Sequence, residues 1–343
     1  MFNLTVSMKK KTLLGITAAL LLILVFTGWK FFLASVHPPQ KKYFYISTGE
    51  SFSSVRQHLR DSAIIGQPLW FDWAAKAVGF KNIRPGRYEI KPGTSIMSLV
   101  RMLKNGRQSP VNFVVTKIRT RETLAARIGK AFECDSLDVI NFINSPDSLQ
   151  SLGFDSTTIM AAVLPLTYEV NWNTTAGTVM RQFAAAYRNF WTDTRKEKAR
   201  TLGLTPVEVV TLASIIDEET NAPADRAPIA SVYLNRLAKG MPLQADPTVK
   251  YALREFGLRR IYLVHTRVAS PYNTYVNKGL PPGPICTPTL QTVDAVLDAP
   301  KTSYFYFVAS PRFDGSHDFS ATYEEHQKKA KLYQQELNKR NIH

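Results

Sequence analysis

Cysteine is scarce in this sequence: 343 residues contain two, Cys134 and Cys286, far apart in the chain. Two such residues establish neither a disulfide nor a metal site, and no bond between them is expected. Histidine offers little more. His317 and His326 have no third ligand at a recognisable spacing, so neither a metal nor another cofactor is expected. Carboxylates are also in deficit, with 27 Asp and Glu against 43 Lys and Arg and a net charge of +16. That imbalance calls for an acidic partner, whether nucleic acid, anionic lipid or an acidic polymer. Disorder is excluded, because 45% hydrophobic and 11% aromatic residues are ample for globular cores, and the length allows two or three domains.

What is present begins with an uncharged run from Thr12 to Trp29. About 18 residues at about 1.5 Å each nearly match a hydrocarbon layer of ~30 Å. Lys9, Lys10 and Lys11 precede it, so the short N-terminus is expected in the cytoplasm and the chain after about Leu33 on the far side. A cleaved signal peptide fits less well: the run is long, and Ala34-Ser35-Val36 is a poor cleavage site. Excess positive charge outside the cytoplasm points to a carboxylate-rich envelope polymer or a membrane surface, and away from nucleic acid. The same placement excludes a penicillin-binding peptidase, since the only Ser-x-x-Lys spacing, Ser7 to Lys10, lies on the cytoplasmic side.

Residues 34–42 read as a stiff linker around Pro38-Pro39. Beyond it, Tyr43–Ile46 and Arg87–Ile90 are strand-like, while Ser51–Ser62 and Ser95–Asn105 carry helical spacing. This predicts a βαβα module closed by a strand at Asn112–Thr116, with Trp70, Phe71 and Trp73 between its two halves; core packing fits these rings better than stacking on sugars.

A second centre is the stretch Thr205–Thr220, an apolar helix running into Asp217, Glu218 and Glu219. Thr205, Pro206 and Glu208 mark its start. At 100° per residue, Val209, Leu212, Ala213 and Ile216 share a face with Glu219 near its edge, Asp217 to the side and Glu218 opposite. A carboxyl held against apolar neighbours keeps its proton near neutral pH, which makes Glu219 a candidate general acid; a solvated helix end fits the same pattern. Three acids at a helix C-terminus also oppose the macrodipole. A second helix, Ala224–Lys239, follows, then the polar turn Leu243–Thr248, a short helix Thr248–Glu255, and loops Ser270–Tyr275 and Gly279–Ile285 rich in Tyr, Asn, Pro and Gly. Flat rings and neutral amides on rigid loops suit a polyhydroxylated ligand. A strand at Tyr304–Val308 and a last helix from Tyr323 complete the chain.

Leu212-Ala-Ser-Ile-Ile-Asp-Glu-Glu-Thr220, Ala230-Ser-Val-Tyr-Leu-Asn-Arg-Leu237, Met241-Pro-Leu-Gln-Ala-Asp-Pro-Thr-Val249, Tyr272-Asn-Thr-Tyr275 and Gly279-Leu-Pro-Pro-Gly283 together resemble the endolytic murein transglycosylase, or YceG-like, family. The resemblance implies an α+β chain with a membrane anchor at 12–33, a small LysM-like module at 43–117, a connecting region at 118–175 and a larger mixed α/β catalytic domain at 176–343. It implies non-hydrolytic cleavage of the MurNAc–GlcNAc bond within peptidoglycan strands, leaving 1,6-anhydro ends, with Glu219 as the catalytic acid. Asn235, Gln244, Asp246, Tyr272 and Asn273 are the expected substrate-groove residues, and cell-wall synthases the expected protein partners. Two departures stand out: Leu166 in Pro165-Leu-Thr-Tyr168 replaces a usual Asp, and Ala245 replaces a frequent Thr. A wall-binding scaffold and a muramidase-type hydrolase are the competing readings.

Overall fold

The computed structural model describes residues 2–33 and 36–340, with side chains from residue 12 onward; the lysine cluster before the apolar run and residues 34 and 35 of the expected linker fall outside that description. The chain forms two compact units, one of residues 1–111 with 169–174, the other of 112–168 with 175–343. The division falls at Val111, and the stretch expected to connect two domains, 118–175, belongs mostly to the second unit.

In the first unit, helix Phe2–Gly28 continues into a wider turn, Trp29–Leu33. Its segment Thr12–Leu33, with a mean hydropathy of 2.1 and none of it buried, is long and apolar enough to cross a membrane. Strand Tyr43–Ile46 pairs antiparallel with Gly86–Glu89, Tyr43 opposite Glu89 and Ile46 opposite Gly86. Alternation turns Phe44, Ile46 and Tyr88 inward. Helices Phe52–Asp61 and Ile96–Asn105 cover this pair, each capped by the serine before it, whose hydroxyl accepts from the backbone N–H three residues on.

The expected βαβα order is corrected to βααβα. A helix spans Pro68–Val78, with Pro68 in its first turn and Gly79 at φ +65° ending it. Of the three aromatics there, Phe71 is fully buried, whereas Trp73 is exposed and Trp70 packs edge-on against both Trp73 and Phe31. The strand expected to close the module is Val111–Val114, and it pairs with Thr167–Val170 instead of joining the first sheet.

The second unit is built on helix Pro206–Glu219. Every residue from Val209 to Asp217 is buried, so the one-faced amphipathic reading gives way to a helix enclosed all round. Helices Arg226–Ala238, Asp246–Leu253 and Leu290–Leu297 pack on it. The last of these had no counterpart among the expected elements. Antiparallel strands Tyr306–Ala309 and His317–Ser320 lie against the terminal helix Tyr323–Lys339. Cys286 is fully buried, its thiol donating to the Ser214 carbonyl at 3.4 Å, and Cys134 is half-buried; both thiols are free.

Candidate active site

The central helix is fixed at its start by a reciprocal cap. The Thr205 hydroxyl accepts from the Glu208 N–H at 3.3 Å, and the Glu208 carboxylate accepts from the Thr205 N–H at 2.7 Å. At its other end the three acids take different partners. Asp217 Oδ1 accepts from the hydroxyls of Thr292 (2.5 Å) and Thr289 (3.2 Å), while Oδ2 pairs with Lys117 Nζ at 3.2 Å. Glu218 receives two parallel bonds from Arg119, at 3.1 and 2.9 Å, and Lys117 lies 3.4 Å from it. The helical phase pointed only Glu219 towards the core. Asp217 is in fact the more deeply buried, at 5% exposure, because the unanticipated helix Leu290–Leu297 brings two threonine hydroxyls to it. A solvated helix end is excluded.

Glu219 is half-buried, and its carboxyl faces another set of groups. The Tyr233 hydroxyl donates to Oε1 at 2.6 Å. The pKa of Glu219 is raised to about 7, chiefly by burial and in smaller part by the nearby Asp246 charge, against the Tyr233 bond, Lys250 and Arg236, which act the other way. Its immediate neighbours Asp217 and Glu218 are not among the main groups that set it. Tyr233 keeps its own proton, since burial pushes its pKa well up. This donor engages Oε1 and leaves Oε2 outside the contact. Asp246 Oδ1 in turn accepts from the Tyr275 hydroxyl at 2.6 Å. Arg236 is buried and held by the carbonyls of Phe305 and Leu243, each at 2.7 Å.

Of the expected groove residues, Asp246 lies beside Glu219. Gln244 is exposed on a left-handed backbone position, φ +51°, with its N–H donated to the Thr274 carbonyl at 3.1 Å. Tyr272 instead packs on Tyr251, ring centroids 4.7 Å apart, at a cavity further along. The two asparagines spend their amide nitrogens on backbone: Asn235 on the carbonyls of Thr302 and Tyr304, both at 2.9 Å, and Asn273 on those of Thr266 (3.0 Å) and Val268 (2.8 Å). Asn235→Ala is therefore expected to cost about 1–3 kcal/mol by stranding two carbonyls. A thermal melt checks this; an unchanged midpoint would mean those carbonyls find other donors.

The loops are tied down as tightly. A Cβ at Gly283 would sit 2.0 Å from the Thr157 carbonyl oxygen, so no side chain fits where that loop crosses. Leu166, at the departure from the usual acid, is partly exposed; its carbonyl accepts from the Val115 N–H at 2.9 Å. Ala245 is buried, its N–H donating to the Thr274 hydroxyl at 3.0 Å. Tyr233 and Tyr275 were missed as partners of the acids. Tyr233 falls on the apolar face of its helix, where a phenol reads as core. Among the described residues no cluster of three metal-ligating side chains occurs.

A half-buried carboxyl with its pKa raised to about 7, bonded by a neutral phenol and within the field of a second carboxylate, has the chemistry that a general acid requires. Comparison with known proteins gives it a family: the YceG-like family pattern matches residues 44–332, and the chain belongs to that family. It is 30% identical over 303 residues to the endolytic murein transglycosylase of Bacillus subtilis (strain 168), covering 84% of this chain and 83% of that one. The protein of the same name from Streptococcus pneumoniae (strain ATCC BAA-255 / R6) is 27% identical over 321 residues, which span 57% of its length. A solved YceG-like protein of Listeria monocytogenes superposes with a TM-score of 0.56 at 29% identity, over 84% of this chain and 99% of that one.

Proposed function

We propose that this chain is an endolytic lytic transglycosylase that cleaves the MurNAc–GlcNAc bond of peptidoglycan, with Glu219 as its one acid–base residue. The observation that carries the reading is the half-buried Glu219 carboxyl, bonded by Tyr233 and with its pKa raised to about 7. Oε2 donates its proton to the glycosidic oxygen as the C1–O bond breaks, and the muramyl ring passes through an oxocarbenium-like state. The same oxygen then takes the proton of the muramyl 6-hydroxyl while O6 bonds to C1, closing the 1,6-anhydro ring. One proton leaves Glu219 and one returns, and no water is consumed.

Asp246 supports the second reading, a hydrolase, because it is close enough to raise the Glu219 pKa. In the proposed reaction Asp246 keeps Glu219 protonated and is itself oriented by Tyr275. Mass analysis of the products decides: anhydro ends support the transglycosylase, reducing ends the hydrolase.

The pH profile is a further test. Since the acid must be protonated, kcat/KM is expected to fall on the alkaline side of about pH 7. Asp246→Asn removes a charge that raises the Glu219 pKa, so the limb should move to lower pH. Tyr233→Phe removes a bond that lowers it, so the limb should move up. Shifts of the same sign in both variants would remove Glu219 as the group titrating.

In this reading the apolar helix holds the chain in the cytoplasmic membrane with its N-terminus inside and the chain after about Leu33 outside. The first unit has a core of its own, in this reading that of a LysM-like module that holds glycan, and the net positive charge suits an acidic wall polymer. Nearby synthases would then be neighbours, and copurification from membranes is the direct test of such partners.

A further inference from the structure

A cavity of about 300 Å³ in the second unit has no role in the proton transfers described above. Its wall includes Arg121, Arg254, Tyr251, Tyr272, Thr157 and Ser270. Two guanidiniums thus face one hollow from different elements: Arg121 opens helix Arg121–Ala131, and Arg254 ends helix Asp246–Leu253. Arg121 bonds only neutral acceptors, the Asn144 side chain at 3.4 Å and the Ser156 carbonyl at 3.2 Å, and among the described residues no carboxylate lies within 4 Å of it. Arg254 has one loose, solvent-exposed pairing, 3.6 Å from Glu122, worth little in water. Its guanidinium lies 5.1 Å from the centre of the Tyr251 ring, which stacks at an angle on Tyr272.

Arg254 also occupies a left-handed helix-ending position, φ +60°, where glycine or asparagine is the ordinary choice. A long cation kept there at a conformational cost needs a use.

The cavity is joined to Glu219 by two segments. Helix Asp246–Leu253 carries Asp246 and Lys250, the charges that act on Glu219, and then Tyr251; Arg254 follows eight residues after Asp246, or about 12 Å along the axis. Loop Tyr272–Tyr275 has Tyr272 on the cavity and Tyr275 on Asp246. A ligand cut at Glu219 therefore needs an arm of about 12 Å, the reach of three or four extended residues, to enter the cavity.

We propose that this cavity binds a carboxylate on the peptide arm that branches from a muramyl residue of the strand being cut. This rests on the preceding assignment of peptidoglycan as substrate. Arg121 and Arg254 supply paired N–H donors to the carboxylate, and the two tyrosine rings pack on the arm's backbone. The enzyme would accordingly distinguish strands that keep their peptides from strands that have lost them.

The test compares kcat/KM on peptide-bearing glycan with that on glycan stripped by an amidase. This ratio is independent of how much of a variant has folded. Wild type is expected to give a ratio well above one, falling about tenfold in Arg254→Gln and in Arg121→Gln, with Arg254→Lys between. Ratios equal to wild type in both Gln variants, or a wild-type ratio of one, would overturn the proposal. The two levels fail separately: cleavage surviving Glu219→Gln removes the catalytic reading, whereas an unchanged ratio with Glu219-dependent cleavage removes only the peptide-arm site.

Discussion

Glu219→Gln is expected to abolish formation of anhydro-ended fragments, with a loss of at least about a thousandfold in kcat. General acid–base catalysis by one side chain contributes about 10²–10⁴-fold, and here one carboxyl serves both halves of the reaction. Glutamine keeps the shape and can still accept from Tyr233, so the loss is chemical and not a collapse of the site. The same substitution should alter stability in a pH-dependent way. Glu219 has a folded-state pKa of about 7 against an ordinary value of 4.5. Between those values the folded protein holds a proton that the unfolded chain has released, so wild-type stability declines as pH rises through this window. At about 1.4 kcal/mol per pH unit the decline is at most about 3 kcal/mol. The Gln variant lacks it and should gain on wild type from pH 4.5 to 7. Denaturant titrations at several pH values test this; parallel curves would mean that Glu219 is ionised when folded.

Lys117→Met should destabilise the second unit by about 3 kcal/mol, a fall in Tm on the order of 10 °C. Asp217 is buried, and Lys117 is its only cationic partner within 4 Å among the described residues. The same ammonium donates to the Asp217 carbonyl at 2.7 Å and lies near Glu218. Removing it leaves a charge that two threonine hydroxyls cannot neutralise. Adding Asp217→Asn should recover part of the loss, because the amide needs no counter-ion. If the double variant is no better than the sum of the singles, the ion pair is not what holds this helix end.

The helices were legible where local chemistry decides them. Ser51, Ser95 and Thr205 cap helices at the positions their sequence context predicts. Glu219 stands out at the edge of one apolar face, although the helix is enclosed all round and Asp217 is the more deeply buried of its acids. Long-range pairing was not legible. Nothing local to Val111–Val114 names Thr167–Val170 as its partner, and the helix at Pro68 begins after Gln67, which supplies no capping bond. Asn235 looked like a ligand group because the carbonyls it bonds, of Thr302 and Tyr304, are distant in sequence, and Asn273 because the fold of its own loop, which brings it to Thr266 and Val268, is not written in local propensity. The same distance hid the threonines that hold Asp217.

The acids that end the central helix are balanced before any substrate arrives: Lys117 and Arg119 compensate Asp217 and Glu218, and Glu219 stays neutral by keeping its proton. Donating that proton creates a new anion in the last turn, where the peptide dipoles of the helix present their negative end. Arg236 and Lys250 soften that field without removing it. In the proposed reaction the carboxylate is thus born in a place that favours its return to the neutral form, which it reaches by taking the proton of the attacking hydroxyl. On the proposed mechanism the unfavourable dipole acts as a reset spring, coupling bond cleavage to ring closure and leaving the enzyme recharged when the anhydro product departs.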